Sequence, residues 1–411
     1  MSASSWPRAF AHVDADCFFA SCELLRHPEL RHRPLCVLSS QDACVVAKTY
    51  DAKAVGIKTG MPVWDAKKLL PHATYLSADF RFYGQISDKL FAVLRRFSPV
   101  VEEYSIDEAF IDFAGLHEMH GKTWRELADE MRIAIHHEVG ITVSVGISVT
   151  RTLAKMASEY NKPNGSTIVA GSRIRDFLQR VGVRDIPGIG RSREALLLQS
   201  GIGSGADFAA APEKRIKQLL GKGGIELWQE LNGDAIYAVE HEARVPQSVA
   251  RTASLGELTR DRETIHSHLV RHAMRLSREL IMKRLTAKQL TVFVTLKSFS
   301  KCVETRELAY PTADYFELMK QAGEMLDILF DRRQIYRACG VIATGIAPRE
   351  AALFDLFQQD DLQREERHLK LLQTVHAIND RYGNNSVGVC GMASHEAKPA
   401  QRFQYPSLKC D

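Results

Sequence analysis

The sequence predicts an α+β multidomain protein, and three observations predict it. Strand and helix patterns alternate over residues 10–168 around several apolar β-runs, which is the texture of a layered catalytic domain. Residues 171–235 then turn helical and glycine-punctuated without strand signals, and residues 249–348 mix strands with two amphipathic helices. At roughly 150 residues per domain, a chain of 411 residues holds about three such units.

Bulk properties narrow the class. Apolar residues make up 45% and charged residues 25% of the chain, ordinary globular values that exclude disordered and collagen-like classes. No apolar run approaches the roughly 18 residues of a membrane helix, so no membrane partner is expected. The first residues lack a basic head followed by an apolar core, and the 8 cysteines form no Cys-x-x-Cys pair. Reduced thiols and a cytoplasmic location are the expectation. The formal net charge is only +4, but residues 244–350 carry 18 basic against 12 acidic side chains, while the remainder carries 36 against 38. A cationic region on a near-neutral chain suggests a polyanionic partner; a solvated basic surface is the competing reading.

In order, Phe10-Ala11-His12-Val13-Asp14 reads as a short buried strand ending on a carboxylate, with a helix starting at Cys17-Phe18-Phe19-Ala20. Strands follow at 35–38 and 44–47, then helical patches at 49–55 and 63–70, the second stopped by Pro71. Helical spacing runs from 82 to 97, β-rich sequence from 100 to 113, a helix from 124 to 139, a strand from 141 to 149 and a helix from 152 to 160. Residues 236–248 read as a linker. Strands at 290–299 and 340–346 and helices at 264–282 and 313–329 make up the basic region, and a tail with one helix near 364–381 follows.

Two carboxylate pairs stand out, Val13-Asp14-Ala15-Asp16 and Ser105-Ile106-Asp107-Glu108. Clustered acids beside apolar strands raise one another's energy, and a divalent cation relieves this; oxygen ligands suit Mg²⁺ or Mn²⁺. Asp107 and Glu108 would face opposite sides of a flat strand, so a hairpin corner is expected at 106–108. Two solvated surface turns are the competing reading. Tyr50 and Lys53 share a helix face and could hold phosphate oxygens, although a solvated amphipathic helix explains them as well. Lys155 and Lys162 lie two turns apart, with Pro163-Asn164-Gly165 turning the chain after them. Ile186-Pro187-Gly188-Ile189-Gly190 opens a helix and suits a hairpin that offers N–H groups to a nucleic-acid backbone; a glycine turn is the alternative. Leu220-Gly221-Lys222-Gly223-Gly224 is a weaker second example. His117-Glu118-Met119-His120 is one residue short of a zincin motif, and His136-His137 read as polar-face helix residues.

The order and spacing of these motifs resemble the Y-family of translesion DNA polymerases, over about the first 350 residues. Val13-Asp14-Ala15-Asp16-Cys17-Phe18-Phe19 is similar to the family's first metal motif, and Ser105-Ile106-Asp107-Glu108-Ala109-Phe110 to its second. The resemblance implies a right-hand polymerase: palm at 8–20 and 77–168, fingers at 21–76, helix-hairpin-helix thumb at 169–235, linker at 236–248, and a little finger at 249–348 that binds DNA. It implies that Asp14, Asp107 and Glu108, with the backbone carbonyl of Ala15, bind two Mg²⁺ ions, and that Tyr50, Lys53 and Lys162 hold the triphosphate. It makes Phe19 the steric gate against a 2′-hydroxyl, and gives Gly188 and Gly190 a place on the DNA backbone. Many relatives carry Thr and Arg where this chain has Ala47 and Lys53, which is expected to weaken the triphosphate grip.

In the tail, 349–411, Leu353-Phe354-Asp355-Leu356-Phe357 resembles a sliding-clamp docking peptide; packing on its own domain is the alternative. The segment from Ile378 to Gly383 resembles the end of UmuC-type members, which work with an accessory subunit, and the DinB-type branch stays open. The implied activity is template-directed, low-fidelity, low-processivity DNA synthesis from deoxynucleoside triphosphates on primer-template DNA, acting in translesion synthesis and damage-induced mutagenesis. A catalytically inactive DNA- and clamp-binding scaffold is the main alternative, and a palm-type cyclase would need neither the hairpin nor the basic module.

Overall fold

The computed structural model describes residues 8–39, 42–114, 116, 121–240, 245–349, 359–382 and 387. The chain divides into two compact units, Met1–Ala243 and Arg244–Asp411.

The first unit is built on the strands β1 (Phe10–Ala15), β2 (Leu35–Leu38), β3 (Val45–Lys48), β4 (Thr74–Ser77), β5 (Val101–Glu103), β6 (Glu108–Asp112), β7 (Val143–Ser148) and β8 (Ser166–Val169). Five of them form one sheet in the order β5-β6-β1-β7-β8. Every residue of β1 and β7 is buried, so both faces of the sheet centre are covered. On one face Ala11, Val13 and Ala15 pack against Leu90 and Leu94 of helix Phe80–Leu94 and Met131 of helix Trp124–Val139. Side chains alternate along a strand, so Phe10, His12 and Asp14 point the other way, towards helix Arg151–Tyr160. There Phe10 packs with Phe110 and Ala154.

That second layer is unusually close, and a glycine permits it. Gly146 on β7 is the register partner of His12, and a Cβ on it would stand 2.1 Å from the Ala154 carbonyl oxygen and 2.3 Å from the Ser158 nitrogen. Helix Arg151–Tyr160 therefore rests directly on the β7 backbone.

The other three strands form a small sheet, β3-β2-β4, around Cys36, Val45, Ala52 and Ile57. Strand β4 carries no period-2 apolar signal, because its residues are half-buried or exposed. It is placed by parallel pairing with β2. Residues 171–235 contain helices Ile174–Leu178, Arg191–Gln199, Gly205–Ala210 and Glu213–Leu231, packed around Phe177, Phe208 and Leu231 together with Leu153 and Met156.

The second unit is one antiparallel sheet, β11-β10-β12-β9, from β9 (Ser248–Thr259), β10 (Leu285–Leu296), β11 (Lys301–Thr312) and β12 (Tyr336–Pro348). Helices Arg262–Met282 and Tyr315–Leu329 cover one face, and Leu372 of helix Gln359–Tyr382 joins the same core. The sequence signalled only two of these four strands. The two edge strands, β9 and β11, carry few buried apolar residues, because one face of the sheet has no helix over it among the described residues. Among the described residues no helix is long and apolar enough to cross a membrane, and six cysteines are free thiols.

Candidate active site

Strand register builds the site. β1 and β6 run antiparallel with Asp14 as the Cα partner of Glu108. The β5–β6 connection closes at the expected corner, where Tyr104 and Ser105 N–H groups donate to the Glu108 carbonyl at 3.0 and 3.2 Å. Asp107 sits in this turn. Its carbonyl accepts the Ala15 N–H at 3.0 Å, and its Oδ1 accepts the Ser105 hydroxyl at 2.6 Å.

Helix Arg151–Tyr160 adds two cations. The two lysines would share one helical face only if the helix ran on to Lys162, and it ends at Tyr160, where the sequence stops it. Both lysines still reach the strand acids. Lys155 Nζ bonds Glu108 Oε2, and Lys162 Nζ bonds Asp14 Oδ1 at 2.5 Å and Glu159 Oε1 at 2.7 Å.

Ligand atoms of His12, Asp14 and Glu108 all lie within 4.8 Å of one another. Asp107 stands outside that set; burial raises its carboxyl above the usual range, with Glu108 adding to the rise and the Ser105 hydroxyl opposing it. Burial pushes Asp14 up to about 7 against the pull of Lys162. Burial works the same way on Glu108, but hydrogen bonds from His12 and Lys155 outweigh it and hold Glu108 at about 2. Burial lowers His12 to about 4. Asp14 and Asp107, whose charged forms burial disfavours, are oxygen donors that a hard divalent cation would stabilise, and with the ionised Glu108 these carboxylates fit Mg²⁺ or Mn²⁺.

Asp16 has a different task from Asp14. It accepts hydrogen bonds from Ser144 Oγ at 2.8 Å, from the Asn164 N–H at 2.8 Å and, at 3.5 Å, from Tyr50 OH. It ties β1, β7 and the turn after Lys162 together. Tyr50 is thus anchored to Asp16, burial pushes its phenol upward, and Lys53 Nζ lies 5.6 Å from its ring centroid. Phe18 points into the core, while half-buried Phe19 stacks on Tyr83 at 4.7 Å and meets Phe80 edge-on at 5.5 Å. Tyr83 in turn donates to buried Glu23 at 2.5 Å.

The glycine hairpin lies in the same unit. Ile186 and Ile189 are buried, and Gly188, with φ +88°, and Gly190 are exposed at the start of helix Arg191–Gln199. Arg193 donates to the Gly188 carbonyl at 2.8 Å. A cavity of about 390 Å³ connects hairpin and site, lined by Tyr104, Phe110, Arg151, Lys155, Gly188 and Arg193 among others. Gly221, with φ +67°, breaks helix Glu213–Leu231. The segment Leu353–Phe357 lies outside the described residues.

Sequence reasoning missed His12, Ser158 and Glu159 as members of the site. The one available signal was His12 two residues before Asp14 on the same strand face.

Two segments match known families: residues 13–159 match the impB/mucB/samB family and residues 246–356 its C-terminal domain. Protein ImpB of Salmonella typhimurium is 30% identical over 385 residues, 90% of each chain. A DNA polymerase IV of Caulobacter vibrioides is 28% identical over 379 residues, covering 92% of this chain and 93% of the relative. Among solved structures, a Y-family DNA polymerase chimera of Dbh and Dpo4 superposes with a TM-score of 0.71 at 25% identity, covering 82% of this chain and 99% of that one. An insertion ternary complex of Dbh DNA polymerase follows at 0.60 and 26%, covering 82% and 98%. The chain belongs to the impB/mucB/samB family, the Y-family of translesion DNA polymerases. It is a DNA-directed DNA polymerase.

Proposed function

We propose that this polymerase performs nucleotidyl transfer at the Asp14–Glu108 end of its five-stranded sheet, extending primers past damaged bases with low fidelity and low processivity. The observation that carries the reading is the register that sets Asp14 opposite Glu108, with Lys155 and Lys162 bonded to those two acids. In this reading Asp14, Asp107, Glu108 and the Ala15 carbonyl hold two Mg²⁺ ions, with Mn²⁺ able to replace them. When bound, the ions supply charge stabilisation to the attacking 3′-hydroxyl and the leaving pyrophosphate.

The chain's own groups do the rest. Tyr50, Lys53 and Lys162 hold the triphosphate. Phe19, backed by the Tyr83 ring, stands against the sugar and leaves no room for a 2′-hydroxyl. Residues 8–20 and 77–168 act as palm, 21–76 as fingers and 169–235 as thumb, where the N–H groups at Gly188 and Gly190 grip the DNA backbone. After the 236–248 linker, the basic 249–348 module adds sequence-independent, salt-dependent DNA affinity. Leu353 to Phe357 dock on a sliding clamp, an accessory subunit joins if the chain is UmuC-type, and the work is done in the cytoplasm. The scaffold alternative is not favoured, because all three acids are present.

Primer extension on undamaged and lesion-bearing templates tests the reading. The parent chain extends with Mg²⁺ and Glu108→Gln does not. A purified, folded parent that extends no primer with either Mg²⁺ or Mn²⁺ overturns it. Deleting residues 353–357 abolishes capture of a sliding clamp while leaving clamp-free extension intact.

A further inference from the structure

The buried imidazole behind the acids has no part in the chemistry derived so far. His12 shares the β1 face of Asp14, one step further from the strand end, and its side chain is 0% exposed. Its Nε2 lies 3.0 Å from Glu108 Oε2 and its Nδ1 lies 2.7 Å from Ser158 Oγ. Phe110, its partner across β1 and β6, lies against it at a ring-centroid distance of 4.6 Å. The imidazole is thus held at both nitrogens and along its flank.

We propose that His12 is a positioning residue that fixes the rotamer of Glu108, so that one carboxylate oxygen is committed to the protein and the other is presented to the metal. This rests on the reading of Glu108 as a metal ligand. An ionised carboxylate only accepts hydrogen bonds. Nε2 therefore carries the proton and donates to Oε2, and the bare Nδ1 lies against the Ser158 hydroxyl, whose one hydrogen is shared between Nδ1 at 2.7 Å and the Lys155 carbonyl at 2.8 Å. Lys155 bonds the same Oε2, while Oε1 accepts no hydrogen bond among the described residues. Without the imidazole, Lys155 alone orients the carboxylate, through a flexible stem. The arrangement depends on Gly146, whose missing side chain lets helix Arg151–Tyr160 bring Ser158 down to the ring.

The test measures Mn²⁺ affinity of the full chain by electron paramagnetic resonance, without DNA or nucleotide, alongside steady-state primer extension. Removing a group that orients a metal ligand weakens metal affinity by about 10–100-fold. His12→Phe keeps the ring volume and loses both nitrogens, so Mn²⁺ affinity falls in that range and kcat falls with it, while KM for nucleotide changes less than threefold. His12→Gln retains an N–H at similar reach and recovers most of the Mn²⁺ affinity. Parental Mn²⁺ affinity in a folded His12→Phe overturns the proposal, and so does a His12→Gln no better than His12→Phe. If His12→Phe does not fold, Ser158→Ala decides. A loss of Mn²⁺ affinity of a few-fold supports the proposal, and parental affinity overturns it. A parent that neither binds Mn²⁺ nor extends a primer instead removes the underlying reading of the site, and the inference with it.

Discussion

Asp14 and Glu108 are partners across β1 and β6, and lysines seven residues apart hold them: Lys155 bonds Glu108, and Lys162 bonds Asp14 at 2.5 Å. One helix and the turn after it thus bring a cation to an acid on each of two strands. The consequences can be measured separately.

Asp14→Asn separates activity from stability. Primer extension falls by about 10²–10⁴-fold, the loss of several kcal/mol of transition-state stabilisation. Stability moves the other way near neutrality. With Asp14 pushed up to about 7 from its ordinary 3.8, its ionisation weakens the fold as pH rises through that window. His12 and His272, both lowered by burial from 6.5 to about 4, act oppositely: the stability of their neutral forms is lost as pH falls through 6.5 towards 4. The two effects partly cancel in the parent. In Asp14→Asn the histidine part remains, so stability rises between pH 4 and pH 7 more steeply than in the parent, by on the order of 1–3 kcal/mol. Urea titrations at several pH values in chelator check this, and a parallel profile in the two proteins contradicts it.

Asp16→Ala behaves unlike any change at Asp14. It leaves the Ser144 hydroxyl and the Asn164 N–H without their acceptor, in a region where Asp16 is only 2% exposed. The expected destabilisation is about 2–4 kcal/mol. A urea midpoint equal to the parent's means that Asp16 does not tie the three segments together.

The proposed gate at Phe19 and the Tyr83 ring behind it can be separated in one pair of variants. Phe19→Ala relaxes discrimination against ribonucleotides by at least about tenfold. Tyr83→Phe keeps the stacked ring and leaves discrimination unchanged, but strands buried Glu23 without its 2.5 Å donor and destabilises the fold by about 1–3 kcal/mol. Competition between ribonucleotide and deoxynucleotide in single-turnover extension, with melting curves, reads both effects.

Lys53→Arg strengthens the phosphate grip. A planar fork can make two hydrogen bonds where an ammonium acts as a point charge. KM for the incoming nucleotide drops about threefold to tenfold, matching a gain near 1 kcal/mol. An unchanged or higher KM shows that residue 53 does not touch the triphosphate.

Much of this was legible along the chain because the signals were local. A buried strand ending in Asp14 and an acid pair needing a corner at 106–108 are patterns of neighbours, and the corner formed where it was expected. The strands β9 and β11 escaped for an equally physical reason: at the edges of a sheet with one uncovered face, they do not carry the apolar alternation that marks a buried strand. The pairing of Asp14 with Asp16 as like members of one motif was also misleading. β1 ends at Ala15, and Cys17 adopts a left-handed φ of 49°, so the chain turns after Asp14 and sends Asp16 towards Ser144 and Asn164.

What residue order alone determined was the chemistry available: three acids, the lysines, an aromatic pair and a glycine hairpin, each legible from its immediate neighbours. What only the tertiary structure decided was which of them meet. His12 reaches Ser158, 146 positions away, because Gly146 has no Cβ to hold the helix off the sheet, and no window on the sequence contains both ends of that contact. Local composition sets what a residue can do; long-range packing sets which partner it finds, because that depends on strand register and interlayer distance.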